Sequence, residues 1–517
     1  MLEGATLWEL VEKRVAESPD ARMAVDESGR EMTFAQYRDR AERVAAALHE
    51  RGIGEGDVVT WQLPTWFESM VLVGALARLG AGQNPILHIY REREVGFCVR
   101  QTGAKLLVVP TEFGGFGFKA MADGIAEAVN ADGGSVEVLT CDRDLPEADP
   151  AGLPAAPGNG TDVRWYFYTS GTTADPKGAK HTDQTIHAVA KGMAERLAVT
   201  ADDRNALAFP FPHIGGITWL FTGLQTGMLN ILFQAFVPDQ VVEVLDREGV
   251  TLAGSGTVFH QVYLGAQQKA ETPIFANVRA FPGGGAPKPP QLHLDMLDAF
   301  PGSSGILSGY GLTEAPILTM SGVGDADTDL AHTEGSPMPG VELKLVKSDG
   351  TVAAQGEEGE VRAKAPQLML GYLDSSLDAD AFDEDGWFRT GDLGSLNERN
   401  MLTITGRLKD VIIRKGENVS AKEVEDHLFR HPKVQDVAVI GLPDERSGER
   451  VVAIVSTPEG QEPLSFDEMA EFLKAEGLMI IKVPEQLEVI SAIPRNPAGK
   501  ILKQDLRKQF EGSSPNR

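Results

Sequence analysis

Cysteine is almost absent: Cys98 and Cys141 are the only two, enough for one disulfide at most. A disulfide scaffold is thereby excluded, and a reducing cytoplasm fits best. Positive charge is scarce as well, with 48 Lys and Arg against 75 Asp and Glu, a net charge of -27 and a pI near 4.8. Such a surface repels phosphate backbones and anionic lipid heads. Nucleic acid and acidic membranes are therefore poor partners, and an anionic substrate must be met by a local positive site. The opening MLEGATLWELVEKRV is charged where a secretory signal is apolar, so no secretory leader is expected. There is no solenoid-type repeat and no low-complexity tract. No Cys/His cluster has zinc spacing, so no structural metal is expected.

Residues 214–237 carry no formal charge and are long enough to raise a transmembrane reading. Gln225, Asn230, Gln234 and four glycines interrupt them, so the stretch is expected to divide at Gly227 into a buried helix and a buried strand. No transmembrane segment is expected.

At 517 residues the chain exceeds what one hydrophobic core supports, roughly 250–300 residues. Capping boxes at Thr6 with Glu9 and Thr33 with Gln36 predict two early helices. DVVTWQLP then reads as a strand, residues 67–79 and 92–101 as helices, and KLLVVP as a strand, an alternation that means a largely parallel α/β sheet. Residues 142–162, rich in Pro, Gly, Asp and Ala, form a loop leading into the strand VRWYFYT. From about Val341 short β-rich pieces (VELKLV, GEVRAKA, MLTIT) suggest a small barrel-like subdomain. After Gly406 a compact α+β unit begins, with strand DVIIRKG, a helix opened by Ser420 with Glu423, and strands VQDVAVIGL and ERVVAIVS. The expected organisation is a large α/β domain over 1–405, a hinge at 406–410, and a small mobile α+β domain over 411–517.

The strand WYFYT runs into Thr169, Ser170, Gly171, Thr172, Thr173, Ala174, Asp175, Pro176, Lys177 and Gly178. Glycines let backbone N–H groups face phosphates, hydroxyls add donors, and the lysine adds charge. It is not a Walker A loop, because Pro176 stands where the second glycine belongs and Gly178 follows the lysine. A polar surface loop is the plainer reading of such a segment taken alone.

The segment YTSGTTADPKG resembles the signature loop of the adenylate-forming superfamily, which includes acyl-CoA synthetases, luciferases and peptide-synthetase adenylation domains. Other motifs of that family follow in order. They are GYGLTE at 309–314, TGD at 390–392, GRLKD at 406–410, GEN at 416–418 and PRNPAGK at 494–500. The resemblance covers essentially the whole chain and implies an acid–thiol ligase using ATP, Mg²⁺ and coenzyme A.

The resemblance assigns roles residue by residue. Glu314 reaches Mg²⁺ on the ATP phosphates, and Thr313 contacts the α-phosphate. Tyr310 lies against adenine, with Gly309 and Gly311 in its motif and Gly284, Gly285 and Ala286 as another wall. Asp392 accepts from the ribose hydroxyls, an acceptor-only task that suits a carboxylate, and Arg407 contacts ribose or phosphate. Lys500 enters the site for adenylation, where a mobile cation offsets the charge of two approaching anions. Lys409 is the hinge residue, Gly416 passes the pantetheine arm of CoA, and His213 lines the acyl or thiol tunnel. Each has a plain structural alternative: a helix cap, a turn, a surface charge or a core histidine.

Acetate-activating relatives carry Trp where this chain has Gly311, so the resemblance implies an open acyl pocket. Gly215, Gly216, Gly254 and Gly256 add small residues in segments that line the family's acyl site. They point to a medium-chain, long-chain, aromatic or alicyclic acid. Trp219 and Phe259 are candidates to shape that cavity, with core packing the plainer reading. The peptide-synthetase FDxS-type segment is replaced by FPFPHIGG, which disfavours amino acids, and too few residues follow Lys500 for a fused carrier domain. Transfer to a free carrier protein, luciferase-like chemistry and an inactive nucleotide or acyl sensor stay open, as does a homodimer. A sensor is expected to have lost Lys500, Glu314 or Lys177, and all three are present.

Overall fold

The α/β alternation builds a six-stranded sheet in the computed structural model, which describes every residue except 170–174, 287, 416, 445, 497–498, 515 and 517. Its order is Glu137–Thr140, Leu106–Val109, Val58–Trp61, Gly82–Pro85, Val163–Thr169, Lys177–Thr182. The first five strands pair in parallel, and the last two form an antiparallel hairpin. Val58–Trp61 and Gly82–Pro85 are buried at every position, as parallel strands covered on both faces must be. The covering helix Phe67–Leu79 is apolar almost all round and ends at Gly80, whose φ of +71° is a left-handed cap.

A second sheet orders Glu31–Thr33, Arg22–Asp26, Leu229–Leu232 and Arg204–Leu207. Single parallel bridges through Leu252 join Asn205 to Ala280 and so link it to the strands Phe281–Gly284, Ile306–Tyr310, Thr319–Met320 and Ser336–Pro337. The uncharged stretch divides as expected, into helix Ile214–Thr226, a left-handed Gly227 at φ +86°, and strand Leu229–Leu232. Among the described residues no helix is long and apolar enough to cross a membrane.

Glu342–Val346, Gly359–Lys364, Phe388–Leu396 and Leu402–Arg407 form a four-stranded antiparallel sheet in chain order. Its first and last strands are edges and do not pair with each other, so it is an open meander rather than a closed barrel. A one-turn helix, Leu408–Asp410, then leads to Val411–Arg414 in the last sheet. That sheet has cores of its own, one drawn from residues 412–487 and one from 438–510.

Thr33 and Gln36 form the full reciprocal capping box. The other two are half boxes. Thr6 and Ser420 accept from the N–H groups of Glu9 and Glu423, but Glu9 accepts instead from Ala5 N and Glu423 pairs with Lys482. Cys98 and Cys141 are buried free thiols.

Candidate active site

Hairpin pairing places Thr169 directly opposite Lys177, so the two residues flank the glycine- and hydroxyl-rich segment singled out in the sequence. Ser170, Gly171, Thr172 and Thr173 lie outside the described residues, as does Gly416. The Lys177 ammonium stands 5.4 Å above the ring of Tyr372. That ring belongs to a segment paired with the hairpin's outer strand, where Ala179 and Tyr372 form an antiparallel bridge.

Glu314 is 8% exposed, and its Oε1 accepts from the Tyr372 hydroxyl at 2.9 Å. Its remaining lone pairs suit a hard cation. Among the described residues no group of three or more His, Cys, Asp or Glu could cage a metal. A Mg²⁺ at Glu314 would therefore draw its other ligands from phosphates and water, the usual arrangement for that ion. The preceding carbonyl, of Thr313, accepts from His181 Nε2 at 2.9 Å. His181 is fully buried, and burial pushes its pKa down to about 4, so it is a neutral ring with its proton on Nε2.

Tyr310 and Arg407 converge on Asp392. The Tyr310 hydroxyl donates to Oδ2 at 2.8 Å, and Arg407 Nε donates to Oδ1 at 2.6 Å. Asp392 is 2% exposed; its N–H donates to Thr390 Oγ1, just past Gly391 in the left-handed region at φ +71°. Burial and then the Asp392 carboxylate push the Tyr310 phenol well above its ordinary pKa. Each oxygen of Asp392 keeps a lone pair for a further donor. On the strand beside Tyr310, Gly284 pairs with Gly309, and a Cβ on Gly284 would lie 2.4 Å from Gly309 O, so a glycine is required for this close approach. Gly285 (φ +77°) and Ala286 follow at the end of that strand.

Lys500 belongs to a tight loop in which Asn496 N donates to Lys500 O and Lys500 N donates to Asn496 Oδ1, both at 2.9 Å. The loop docks on the large domain: a Cβ on Gly499 would sit 3.7 Å from Val258 Cγ2. Desolvation and then repulsion from Arg407 lower the Lys500 pKa, while Asp392, Asp410 and Glu314 oppose the shift. The lysine thus shares one field with the residues assigned to ribose and metal. Lys409 lies in the one-turn helix between the two bodies. Beside it Arg507 donates to Asp410 at 2.8 Å, and Ser420 Oγ donates to Thr405 O at 2.6 Å.

His213 caps the helix Ile214–Thr226, its Nδ1 accepting from Gly215 N at 3.0 Å. The ring is therefore unprotonated at Nδ1, and burial pushes its pKa to about 4. With Thr313 it lines a small pocket whose other walls are Pro85, Ile86, Leu87, Tyr90, Phe167, Tyr168, Pro212 and Ile214. Trp219, on the same helix, is half-buried between two core clusters, and Phe259 packs edge-on against Phe236. Neither lines that pocket.

Backbone crowding explains several glycines that the sequence suggested were pocket floor. A Cβ on Gly311 would lie 2.2 Å from Ile317 N, one on Gly216 would lie 2.6 Å from the Phe211 backbone, and one on Gly254 would lie 3.0 Å from Pro282 O. Gly256, at φ +146°, comes within 3.1 Å of Gly284 O by the same measure. Gly311 is thus demanded by its own loop.

Sequence reasoning missed Tyr372 and His181. His181 shares one face of an alternating strand with Lys177 and Ala179, which is a signal of placement but not of role. Tyr372 follows Leu368, Met369, Leu370 and Gly371, and reads as core.

Fold and site together define an AMP-binding enzyme. The profile of AMP-binding enzymes matches residues 11–373, and that of the AMP-binding enzyme C-terminal domain matches residues 423–500. The chain belongs to this adenylate-forming family, in its acyl- and aryl-CoA ligase branch. It is 31% identical over 519 residues to a medium-chain fatty-acid–CoA ligase of Escherichia coli, with 98% of this chain and 90% of that one covered. A long-chain-fatty-acid–CoA ligase of Mycobacterium tuberculosis is 31% identical over 510 residues, covering 98% and 99%. A salicyl-AMP ligase / salicyl-S-ArCP synthetase of the same organism is 30% identical over 530 residues, covering 98% and 91%. Among solved structures, ATP-bound MatB from Rhodopseudomonas palustris superposes with a TM-score of 0.87 at 26% identity over 99% of each chain.

Proposed function

We propose that the chain activates a carboxylic acid larger than acetate with ATP and passes the acyl group to coenzyme A. The observation that carries this reading is that Tyr310 and Arg407 meet on Asp392, and that Lys500 feels the charges of Arg407, Asp392 and Glu314. The acid's carboxylate attacks the α-phosphorus, an oxygen–phosphorus bond forms, and the bond to pyrophosphate breaks. Tyr310 and Asp392 hold the nucleoside, and Lys500 offsets charge developing on the approaching anions. Held by Glu314, Mg²⁺ would neutralise phosphate charge. The Thr313 carbonyl, fixed by neutral His181, sets the backbone beside the α-phosphate position.

The second step replaces AMP by the thiol, and the same C-terminal loop must leave first. Separate cores before and after 406–410 support a rigid-body rotation about Lys409. The apolar lining of the pocket beside His213 favours an apolar acyl chain or ring. Relatives named for medium- and long-chain fatty acids support a fatty acid, and one named for a carrier-protein acceptor makes a free carrier the second reading.

The test is pyrophosphate release across fatty, aromatic and alicyclic acids, with and without CoA, in the wild type and Lys500→Ala. Acid-dependent release that the variant loses, with acyl-CoA formed only when CoA is added, supports the proposal. Release without any thioester to CoA moves the acceptor to a carrier protein. No release with any acid removes the ligase reading.

A further inference from the structure

Residues 369–373 run along the free edge of the six-stranded sheet, beside the strand that begins at Lys177. Leu370 N donates to Lys180 O at 2.8 Å, Lys180 N to Gly371 O at 3.0 Å, and Leu373 N to Gly178 O at 2.8 Å. On its other side the same segment reaches Glu314, through Met369 N to Glu314 O at 2.9 Å. One short strap is therefore bonded both to the strand of the phosphate-loop lysine and to the residue assigned to the metal.

Tyr372 stands at the middle of the strap and is 5% exposed. Its N–H donates to Asp378 Oδ1 at 2.8 Å, which fixes the backbone from which the ring projects. Its hydroxyl donates to Glu314 Oε1 at 2.9 Å, and the Lys177 ammonium lies 5.4 Å over its face. One ring thus gives the two groups separate seats, the carboxylate at its hydroxyl edge and the ammonium over its face, and opposite charges so placed attract each other. Without the ring neither group keeps its seat, and the long Lys177 side chain is free to swing toward the carboxylate, which leaves each less available to a polyphosphate or its metal.

We propose that Tyr372 is a positioning residue that holds Glu314 and Lys177 apart and presents both to the nucleotide phosphates. The hydroxyl fixes the carboxylate with a single donor, too little to neutralise it. The ring face gives the ammonium a weak cation–π seat that a phosphate can outcompete. Burial, and then the Glu314 carboxylate, push the phenol pKa up, so the hydroxyl keeps the proton it donates. The inference rests on the proposed role of Glu314 at the metal-bound nucleotide.

The test compares the wild type with Tyr372→Phe, Tyr372→Leu, Glu314→Gln and the double variant Tyr372→Leu/Glu314→Gln. Equilibrium binding of ATP is measured with Mg²⁺ and with EDTA, alongside thermal melting. Tyr372→Phe keeps the ring, so it should bind metal-free ATP as the wild type does and lose about tenfold of the tightening that Mg²⁺ brings. Tyr372→Leu should also weaken metal-free binding, and the double variant should recover it, because the Lys177–Glu314 pair can no longer form. A Tyr372→Phe protein with wild-type Mg²⁺ dependence, beside a Glu314→Gln protein that has lost it, overturns the positioning role and leaves that of Glu314 intact. Wild-type Mg²⁺ dependence in Glu314→Gln overturns the reading of Glu314 itself. A merely structural Tyr372 would lower the melting temperature of Tyr372→Phe with no change in either binding constant.

Discussion

Asp392 and Arg407 are cross-strand partners, and the Arg407 Nε–H reaches Asp392 Oδ1 at 2.6 Å. The pair bridges the last sheet of the large domain at the point where the chain leaves it, since Leu408–Asp410 follows at once. Burial works against the Arg407 charge, but the Asp392 carboxylate, with Tyr310 and Asp410 adding to it, raises the guanidinium pKa. The proposed ribose acceptor and the entrance to the hinge thus share one ion pair.

Asp392→Asn should therefore weaken ATP more than acid. The amide keeps one acceptor, but it loses the charge that holds Arg407 and strengthens hydrogen bonds to hydroxyls. The expected outcome is a rise in KM for ATP of about 10- to 100-fold with the acid KM unchanged. Steady-state pyrophosphate release with each substrate varied in turn checks it.

His181 predicts a pH dependence of stability. Its folded pKa of about 4 lies below the ordinary value of 6.5, so the unfolded chain binds the proton more readily between those limits. The contribution is fully present above about pH 6.5 and is lost as pH falls toward 4, on the order of 3 kcal/mol in all. His181→Gln keeps a donor for the Thr313 carbonyl but cannot titrate. Its melting temperature should fall less steeply than the wild type's between pH 6.5 and 4.5, as thermal unfolding monitored by circular dichroism would report.

Elements with a strong local signal were legible in the sequence. The helix Phe67–Leu79, the break at Gly227 and the full box at Thr33 each rest on contacts a few residues apart. The second halves of two capping boxes were not legible, because the glutamates found other partners. Glu423 pairs with Lys482, 59 residues away, which no spacing rule contains. The same holds for the site. The motifs marked Glu314, Asp392 and Lys500, whereas the residues that orient Glu314 and the Thr313 carbonyl come from a strap and a strand brought alongside by tertiary pairing.

Gly311 separates two explanations of one glycine. If it served only to leave acyl space, Gly311→Ala would narrow the range of acids and spare ATP. The structure instead puts the new Cβ 2.2 Å from Ile317 N and 2.7 Å from Ala315 O. That loop returns to pair Leu318 N with Tyr310 O at 2.7 Å, so moving it moves Tyr310, the proposed adenine contact. Gly311→Ala should cost about 1–3 kcal/mol of stability and raise the KM for ATP with every acid. A melting curve and an acid panel measured together distinguish the two explanations.

Lys500→Ala should divide the reaction at the adenylate. The lysine belongs to a loop seated on the large domain, in the field of Asp392, Asp410 and Glu314, which suits the step in which two anions meet. The thiol step does not need that cation. Adenylation should fall by about 100-fold or more, while thioester formation from supplied acyl-adenylate should stay within about threefold. The pH profile carries the same argument. Desolvation and Arg407 lower the Lys500 pKa, so the charged form is complete at low pH and is lost as pH rises through a value below that of an ordinary lysine. Adenylation in the wild type should therefore decline on the alkaline side earlier than a lysine without that cationic neighbour would allow. Lys500→Arg, which keeps its charge throughout, should lose that decline even if its rate is lower. A wild-type and a Lys500→Arg profile with the same alkaline limb would assign the limb to another group.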